Sequence, residues 1–256
     1  MTLEEYIHNP MGTSVVFTAN MREAARSDYS KKFNELILKV NGRLDHFFYE
    51  NKSAHKYYAH FKIPSSHRNL DYDVVFEFSE NEATKNSPNK NLFEYDVKFF
   101  CNDPAFTYTY ANAFARNNLF ITQLKRKMSK TALRTAAIHR NSTSSVGYVK
   151  NIYFAFLEMQ RNNFNRLDNF IALSQPYNLT RMLNQIEDTD TLLQKIKDLD
   201  AEEREKKAEK NAGKVTTSKS LQVKKDEADK ILGVKKSGFV RKVKTSNVIK
   251  PRSKKR

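Results

Sequence analysis

The residues with the clearest chemistry lie at the C-terminal end of the chain. Residues 231–256 hold ten Lys or Arg and no Asp or Glu. Cationic side chains in such a run neutralise phosphates and release their condensed counterions, which gives nucleic-acid affinity without sequence preference. The residues predicted to bind nucleic acid are Lys235, Lys236, Arg241, Lys242, Lys244, Lys250, Arg252, Lys254, Lys255 and Arg256.

The positive charge is concentrated in one part of the chain. Residues 201–256 carry nineteen basic and seven acidic side chains, a net charge of +12, whereas the whole chain carries +16. Residues 1–200 therefore hold a net charge of only +4. The basic segment has too few regularly spaced apolar residues to bury a core, so we expect residues 211–256 to be disordered until bound.

Groups typical of metal or thiol chemistry are sparse. Four of the six histidines, His46, His55, His60 and His67, fall close together in the sequence. They lack the helical pair or the nearby cysteines of a zinc site, which favours ordinary strand or surface histidines. The single cysteine, Cys101, is in phase with apolar strand positions, which favours a core thiol over a nucleophile.

Two carboxylate pairs share predicted strand faces, Asp71 with Asp73 and Glu94 with Asp96. Two-metal nucleases use such pairs, but solvated sheet faces carry them too. The chain has six glycines and no glycine-rich phosphate loop, which argues against a nucleotide-binding enzyme. We therefore predict no catalytic residue, no metal and no cofactor, and we keep a metal-dependent nuclease as the third hypothesis.

Two further segments have more than one interpretation. The aromatic string at Phe106, Tyr108 and Tyr110 has the composition of a base-stacking platform, but its position after a helix cap favours core and interface packing. The basic residues at 125–127 and 134–140 fit either a solvated helix face or a phosphate contact.

The elements that carry these groups begin with a helix and a sheet. Apolar residues at intervals of three and four predict a helix over 21–40, capped by Asn20 and ended by Gly42. From residue 43 to residue 101 the apolar period is two, which predicts four antiparallel strands. The alternation places on the apolar face Phe47, Tyr49, Tyr57, Ala59, Phe61, Ile63, Tyr72, Val74, Phe76, Phe78, Phe93, Tyr95, Val97, Phe99 and Cys101. The other face, expected to meet water or a partner, carries His60, Lys62, Asp73, Glu77, Glu94, Asp96 and Lys98.

Helical periodicity continues to the end of the body. Asp103 and Pro104 form a strong helix start, Pro176 interrupts the helical run, and a final helix is expected from about Thr180. The predicted fold class is α+β: an N-terminal helix, a four-stranded antiparallel sheet, a helical C-terminal half and a disordered basic tail. The predicted domains are an N-terminal arm at 1–19, an α+β body at 20–176, a projecting helix at 177–210 and the tail at 211–256.

Composition also indicates where the protein is made. One cysteine cannot form an internal disulfide, and residues 1–8 have neither the basic start nor the apolar run of a signal peptide. No segment approaches the roughly 18 consecutive apolar residues of a membrane-spanning helix. We expect synthesis in the cytoplasm and no membrane partner.

Three segments, at 100–111, 124–133 and 147–157, resemble uncharacterised virion-associated proteins of tailed bacteriophages; the resemblance covers roughly residues 95–160. It implies a particle component made in the host cytoplasm and assembled into the virion. It also implies contacts with copies of itself and with other virion proteins.

Together these features predict a non-enzymatic assembly component of a tailed-phage virion, in the head, neck or tail, whose cationic tail contacts nucleic acid. The alternative is a nucleic-acid-binding accessory protein outside the virion. The sequence leaves open the position in the particle, the oligomer symmetry, the protein neighbours, and DNA against RNA as the partner.

Overall fold

The computed structural model describes residues 1–8, 19–65, 69–88, 90–137, 141, 144, 146–147 and 149–231, without the side chains of residues 19–22 and 212–231. The chain divides into two compact units, Met1–Asp200 and Ala201–Arg256. The α-helices are α1 Leu3–His8, α2 Ala19–Lys39, α3 Glu82–Lys85, α4 Ala111–Arg116, α5 Lys130–Arg134, α6 Lys150–Arg161, α7 Leu167–Leu173, α8 Leu179–Gln185 and α9 Thr189–Ile231. The strands are β1 Asp45–Asn51, β2 Lys56–Pro64, β3 Asp71–Ser79, β4 Asp96–Cys101 and β5 Gln175–Pro176.

The α+β class is confirmed, but the sheet is mixed and has five strands in the order β4-β3-β2-β1-β5. The four strands from β1 to β4 pair antiparallel, as the alternating sequence predicts. The additional strand, β5, pairs parallel to β1 over two residues only. So short a strand has no apolar period, which is why the sequence contains no signal for it.

One face of the sheet packs on helices and forms the main core. There Phe76 and Phe99 meet edge to face with ring centroids 5.7 Å apart, and α6 packs over β2 and β3. At the other end of this face the Phe48 ring packs against the rings of Phe164 and Phe170, with centroids 4.9 and 4.5 Å away. Aromatic rings dominate the core because each buries a large apolar area and pairs favourably edge to face.

Over β2 and β3 the opposite face of the sheet is covered, contrary to the prediction that it meets water or a partner, whereas Glu94 and Asp96 of the same predicted set are exposed. The chain from Tyr177 to Asp188 runs across it, and the Tyr177 ring stacks on Tyr58 at 4.6 Å. His60, Asp73 and Glu77 are consequently 0–1 % exposed. Polar residues on one strand face indicate only that the face is not purely apolar, so alternation alone does not show whether another segment lies over it.

The first strand is one residue out of phase with the prediction. Phe48 pairs with Ala59 on the helix-covered face, whereas Phe47 and Tyr49 lie beside His60 and Tyr58 on the opposite face. Both faces of β1 are aromatic and the sheet is covered on both sides at this strand, so alternation cannot choose the register there.

The predicted alternation is confirmed from Glu94 to Phe99 and ends there, because Phe100 and Cys101 are both buried as well. Tyr95, Val97 and Phe99 are buried, whereas Glu94 and Asp96 are exposed. Tyr95 itself precedes the strand, directly after a 3₁₀ turn at Leu92–Glu94. The period of two therefore extends one residue beyond the hydrogen-bonded strand.

The segment predicted to be an N-terminal arm contributes to the core over its first eight residues. Leu3, Tyr6 and Ile7 of α1 are 0–1 % exposed. The Tyr6 ring lies 4.7 Å from that of Phe99, and its hydroxyl donates to the Gly147 carbonyl at 2.9 Å. Residues 9–18, almost all of the remaining predicted arm, lie outside the described residues.

The predicted start of α2 is wrong, because the helix begins at Ala19 and Asn20, the predicted cap, lies inside it. The helix end predicted at Gly42 and the helix start predicted at Asp103 agree with the structure. After α2 the Gly42 N–H donates to the Ile37 carbonyl at 2.9 Å, with φ of +94° at Gly42, the backbone conformation that glycine adopts most readily. At the other predicted start, the Asp103 carboxylate accepts the Phe106 N–H at 2.8 Å. The helix that begins there is a π-helix over Phe106–Tyr110 rather than a regular α-helix.

The final helical region differs from the single helix predicted to begin near Thr180. It consists of α8 and α9, separated by a turn at 186–188. In the first unit, Leu192 and Ile196 of α9 are buried and pack with Leu70 and Tyr72. Residues 211–231, predicted to belong to the disordered tail, continue α9 as helix.

Candidate functional site

The predicted nucleic-acid-binding residues all lie outside the described part of the chain. Lys235 is the first of the ten and Arg256 the last, whereas the described residues end at Ile231. Nucleic-acid binding by this segment therefore stays a prediction from sequence.

The helix that precedes the cationic segment is anchored at its first residue. The Thr189 hydroxyl accepts the Ser129 N–H at 2.7 Å and donates to the Lys127 carbonyl at 2.9 Å. In the second unit, residues 201–211 are all exposed. Glu202 and Glu203 pair with the lysines four positions later at 3.6 Å, an arrangement that stabilises a solvated helix by a few tenths of a kcal/mol per pair.

A buried ionic network centred on Asp73 is the most elaborate arrangement of titratable groups in the described chain. One carboxylate oxygen lies 2.7 Å from Nε2 of His60 and 3.4 Å from the Lys62 ammonium. The other accepts the Asn102 amide at 2.9 Å and the Glu187 backbone N–H at 3.0 Å. The four donors come from β2, from the end of β4 and from the segment that covers the sheet.

The electrostatics of this network favour an ionised Asp73. Burial alone raises the pKa of a carboxyl, but the hydrogen bond and charge of His60, the Glu187 N–H and the Lys62 ammonium outweigh it and lower the pKa. Nδ1 of His60 has no hydrogen-bond partner among the described residues. A carboxylate that orients a histidine is also part of many general-base sites. Here His60 is fully buried, with its imidazole 5.5 Å from the Phe47 ring. Asp73 also accepts the Glu187 N–H, so the His60–Asp73 pair joins the sheet to the segment that covers it.

A second ionic contact lies further along the same face. The Lys56 ammonium is 2.8 Å from a carboxylate oxygen of Glu77, whose other oxygen has no partner within the described chain. Burial, and then the charge of Glu77, raise the pKa of Tyr58 above its usual value. The sequence pattern predicted that Glu77, like Lys62 and Asp73, lies on a face that meets water or a partner. The signal that the sequence did contain is the opposite charge on neighbouring strands, because Lys62 pairs directly with Asp73.

The other groups considered for chemistry are also held in structural contacts. The Cys101 thiol is fully buried and donates to the Asp103 carboxylate at 3.2 Å, and burial raises its pKa well above the usual value. His46 bonds to the Leu44 carbonyl and to Arg43, while His67 lies outside the described residues. Within the described ranges, no three His, Cys, Asp or Glu side chains come together as metal ligands would.

The two predicted carboxylate pairs do not form sites. Asp71 is exposed and Asp73 is buried in its network, so the two do not face a common space. Asp96 pairs with the amino group of Met1 at 3.0 Å.

Comparison with protein families, with curated protein sequences and with solved structures finds no match. Among the described residues no helix has the length and apolarity needed to cross a membrane.

Proposed function

We propose that this protein is a non-enzymatic assembly component of a tailed-phage virion whose C-terminal segment binds nucleic acid through its phosphates. The proposal rests on one observation: the positive charge is concentrated in the second of the two compact units. Of the net charge of +16, +12 belongs to residues 201–256, and the division between the two compact units falls at Asp200. A folded unit of ordinary charge is thus joined to a separate cationic unit.

This separation favours phosphate binding over base recognition. Proteins that read bases present side chains from a rigid helix or ribbon seated in a groove. The ten basic residues beyond 230 are interrupted by Gly, Pro and Ser and include no acidic partner, so they suit contacts that track a phosphate backbone. Such contacts hold a protein on packaged nucleic acid whatever its sequence.

The first unit supports a role in protein assembly. Ile171 and Leu173 on α7 are 37 % and 50 % exposed, and Ile171 borders two clefts of about 700 and 560 Å³. Exposed apolar side chains on one short helix are suited to contact another protein, such as a second copy of the chain. With the resemblance of residues 95–160 to virion-associated proteins, they support a place in a particle after synthesis in the host cytoplasm.

A salt series tests the nucleic-acid part of the proposal. The full-length chain is compared with a variant in which the ten basic residues of 231–256 are replaced by Gln, using two unrelated DNA duplexes. Each phosphate contact contributes about 0.9 to the slope of log affinity against log salt, so five contacts give a slope of about 4–5. We expect equal affinity for the two duplexes and loss of most of the slope in the variant.

A matched control exchanges Lys for Arg and Arg for Lys at the same ten positions, so that the side chains change and the charge does not. It is expected to keep the slope of the parent. An unchanged slope in the Gln variant would place binding in the first unit and contradict the proposal. A stoichiometric place in purified particles separates a virion component from an accessory protein. Magnesium-dependent cleavage of DNA would favour the nuclease hypothesis instead.

A further inference from the structure

A small cleft in the first unit lies between the π-helix Phe106–Tyr110 and α5. Its volume is about 180 Å³, and its polar lining includes Thr107, Asn112, Ser129, Thr131 and Thr135. It is smaller than the roughly 300–1,000 Å³ of pockets for drug-sized ligands, so it suits a single ring or polar group. Isolated π-helical turns are rare and occur often at functional sites.

Two residues that line this cleft each carry a buried polar atom without a hydrogen-bond partner in the described chain. Thr107 is 1 % exposed and Asn112 is 8 % exposed, and neither Oγ1 of Thr107 nor Oδ1 of Asn112 has a hydrogen-bond partner among the described residues. The Asn112 amide is held in place because its Nδ2 donates to the Leu133 carbonyl at 2.7 Å. Leaving such groups unpaired costs about 1–3 kcal/mol each, so a site that keeps two of them is suited to a ligand that pairs with both.

The rim of the cleft adds an exposed aromatic ring. Tyr108 is 48 % exposed although Phe106, two residues earlier, is completely buried. The string predicted to favour core packing is therefore divided between core and surface. A half-exposed tyrosine beside this cleft presents a π-face on which another ring can stack.

The stretch of sequence that lines the cleft is basic, although Asp188 pairs with Lys127 close to Ser129 of the lining. From Pro104 to Leu157 there are eight Lys or Arg and no Asp or Glu. Lys130 and Arg134 lie on α5, are exposed, and have no ion-pair partner in the described part of the chain. Exposed cations on a helix that lines the cleft, together with the exposed Tyr108 ring, match the two parts of a nucleotide, its phosphate and its base.

We propose that this cleft binds one nucleotide of a single-stranded nucleic acid. The base stacks on Tyr108, and its polar edge pairs with the Thr107 hydroxyl and with Oδ1 of Asn112, which accepts from an amino group. The neighbouring phosphates contact Lys130 and Arg134. A base paired in a duplex has both faces covered by its neighbours, so the site selects single strands. The site is separate from the cationic segment and does not depend on it.

The test uses the full-length chain with the ten basic residues of 231–256 replaced by Gln, so that the C-terminal segment does not mask the cleft. Affinity is measured for DNA and RNA oligonucleotides of one sequence, about 12 nucleotides long, and for the corresponding DNA duplex. Tyr108→Ala is expected to weaken single-strand binding roughly 5- to 150-fold, the range for one stacked base, while Tyr108→Phe retains it. Binding of both oligonucleotides means that the site reads the base and phosphate and not the 2′-hydroxyl.

A second variant separates a binding role from a structural one. Thr107→Val removes a buried hydroxyl that bonds to nothing in the described chain, so it is expected not to lower the melting temperature, and to weaken single-strand binding. A double variant, Lys130→Gln with Arg134→Gln, removes the two charges on α5. Its charge-matched control is Lys31→Gln with Lys39→Gln, which removes two exposed charges on α2. Only the first pair is expected to lower affinity.

Three results would overturn the proposal. One is affinity within twofold of the parent for both Tyr108→Ala and Thr107→Val. Another is equal loss from the two charge-matched pairs. The third is no measurable single-strand binding once the C-terminal charges are removed, a result that leaves the proposed role of that segment intact. Conversely, if the Gln substitutions leave duplex binding unchanged, the role of the cationic segment fails while the cleft remains testable on its own.

Discussion

Replacing Asp73 tests whether the buried ionic network joins the sheet to the segment that covers it. Asp73→Ala removes the acceptor for His60, for the Asn102 amide and for the Glu187 N–H, which lie at 2.7, 2.9 and 3.0 Å. It leaves His60 without a partner at either ring nitrogen, because Nδ1 already has none among the described residues. Breaking a buried pair by removing one member costs about 3–5 kcal/mol.

The control is Asp71→Ala, two residues earlier on the same strand, where the side chain is exposed and a change within about 0.5 kcal/mol is expected. Asp73→Asn is expected to fall between them. Its amide oxygen can accept from Glu187 and Asn102, whereas the NH₂ group that replaces the other oxygen faces the nitrogens of His60 and Lys62. The expected order of destabilisation is therefore Asp73→Ala, then Asp73→Asn, then Asp71→Ala.

The assay is urea unfolding followed by tyrosine fluorescence. The chain has twelve Tyr and no Trp, and all twelve tyrosines precede residue 200, so the signal reports the first unit alone. With a urea dependence of about 2 kcal/mol per molar, Asp73→Ala should lower the midpoint by about 1.5–2.5 M. Midpoints within about 0.5 M of each other for Asp73→Ala and Asp71→Ala would refute the reasoning.

The pH dependence is an independent check on the same network. The pKa of Asp73 is lowered in the folded state, so its stabilisation is present above the unfolded pKa of about 4 and is lost as the pH falls through the folded pKa. Asp73→Asn should flatten the fall in stability below about pH 4. An identical acid profile for the parent and for Asp73→Asn would mean that the carboxylate has the same pKa in both states.

Three further predictions concern other parts of the first unit. Phe99→Ala should cost about 3–5 kcal/mol in urea unfolding and Lys98→Ala little, because only the first opens a core cavity; equal costs would contradict the strand assignment. Gly147→Ala places a methyl group where the Tyr110 ring lies, and should lower stability by about 1–3 kcal/mol; an unchanged melting temperature would show that the ring moves freely. Burial raises the pKa of Glu158, so Glu158→Gln should stabilise the protein at pH 7 and lose that gain below about pH 4; a gain independent of pH would rule out the charge as its cause.

Local sequence patterns predicted much of the fold. The period of two located β2, β3 and β4, and the glycine after α2 and the carboxylate of Asp103 marked a helix end and a helix start. These features depend on residues close together in the chain, where the local pattern directly reflects backbone geometry. The concentration of positive charge beyond residue 200 is likewise a property of sequence alone.

The tertiary structure decided what covers each surface. Whether His60 and Asp73 face water depends on the 177–188 segment, more than a hundred residues away, whose backbone N–H at Glu187 completes the network. The phase of β1 was equally undetermined, because Phe47 and Phe48 both suit a buried face and the second face is buried by that same segment. The cleft beside Tyr108 also needs the fold, since it forms only where α5 meets the π-helix. Burial is a sum over contacts between distant parts of the chain, and such contacts leave no period in the sequence.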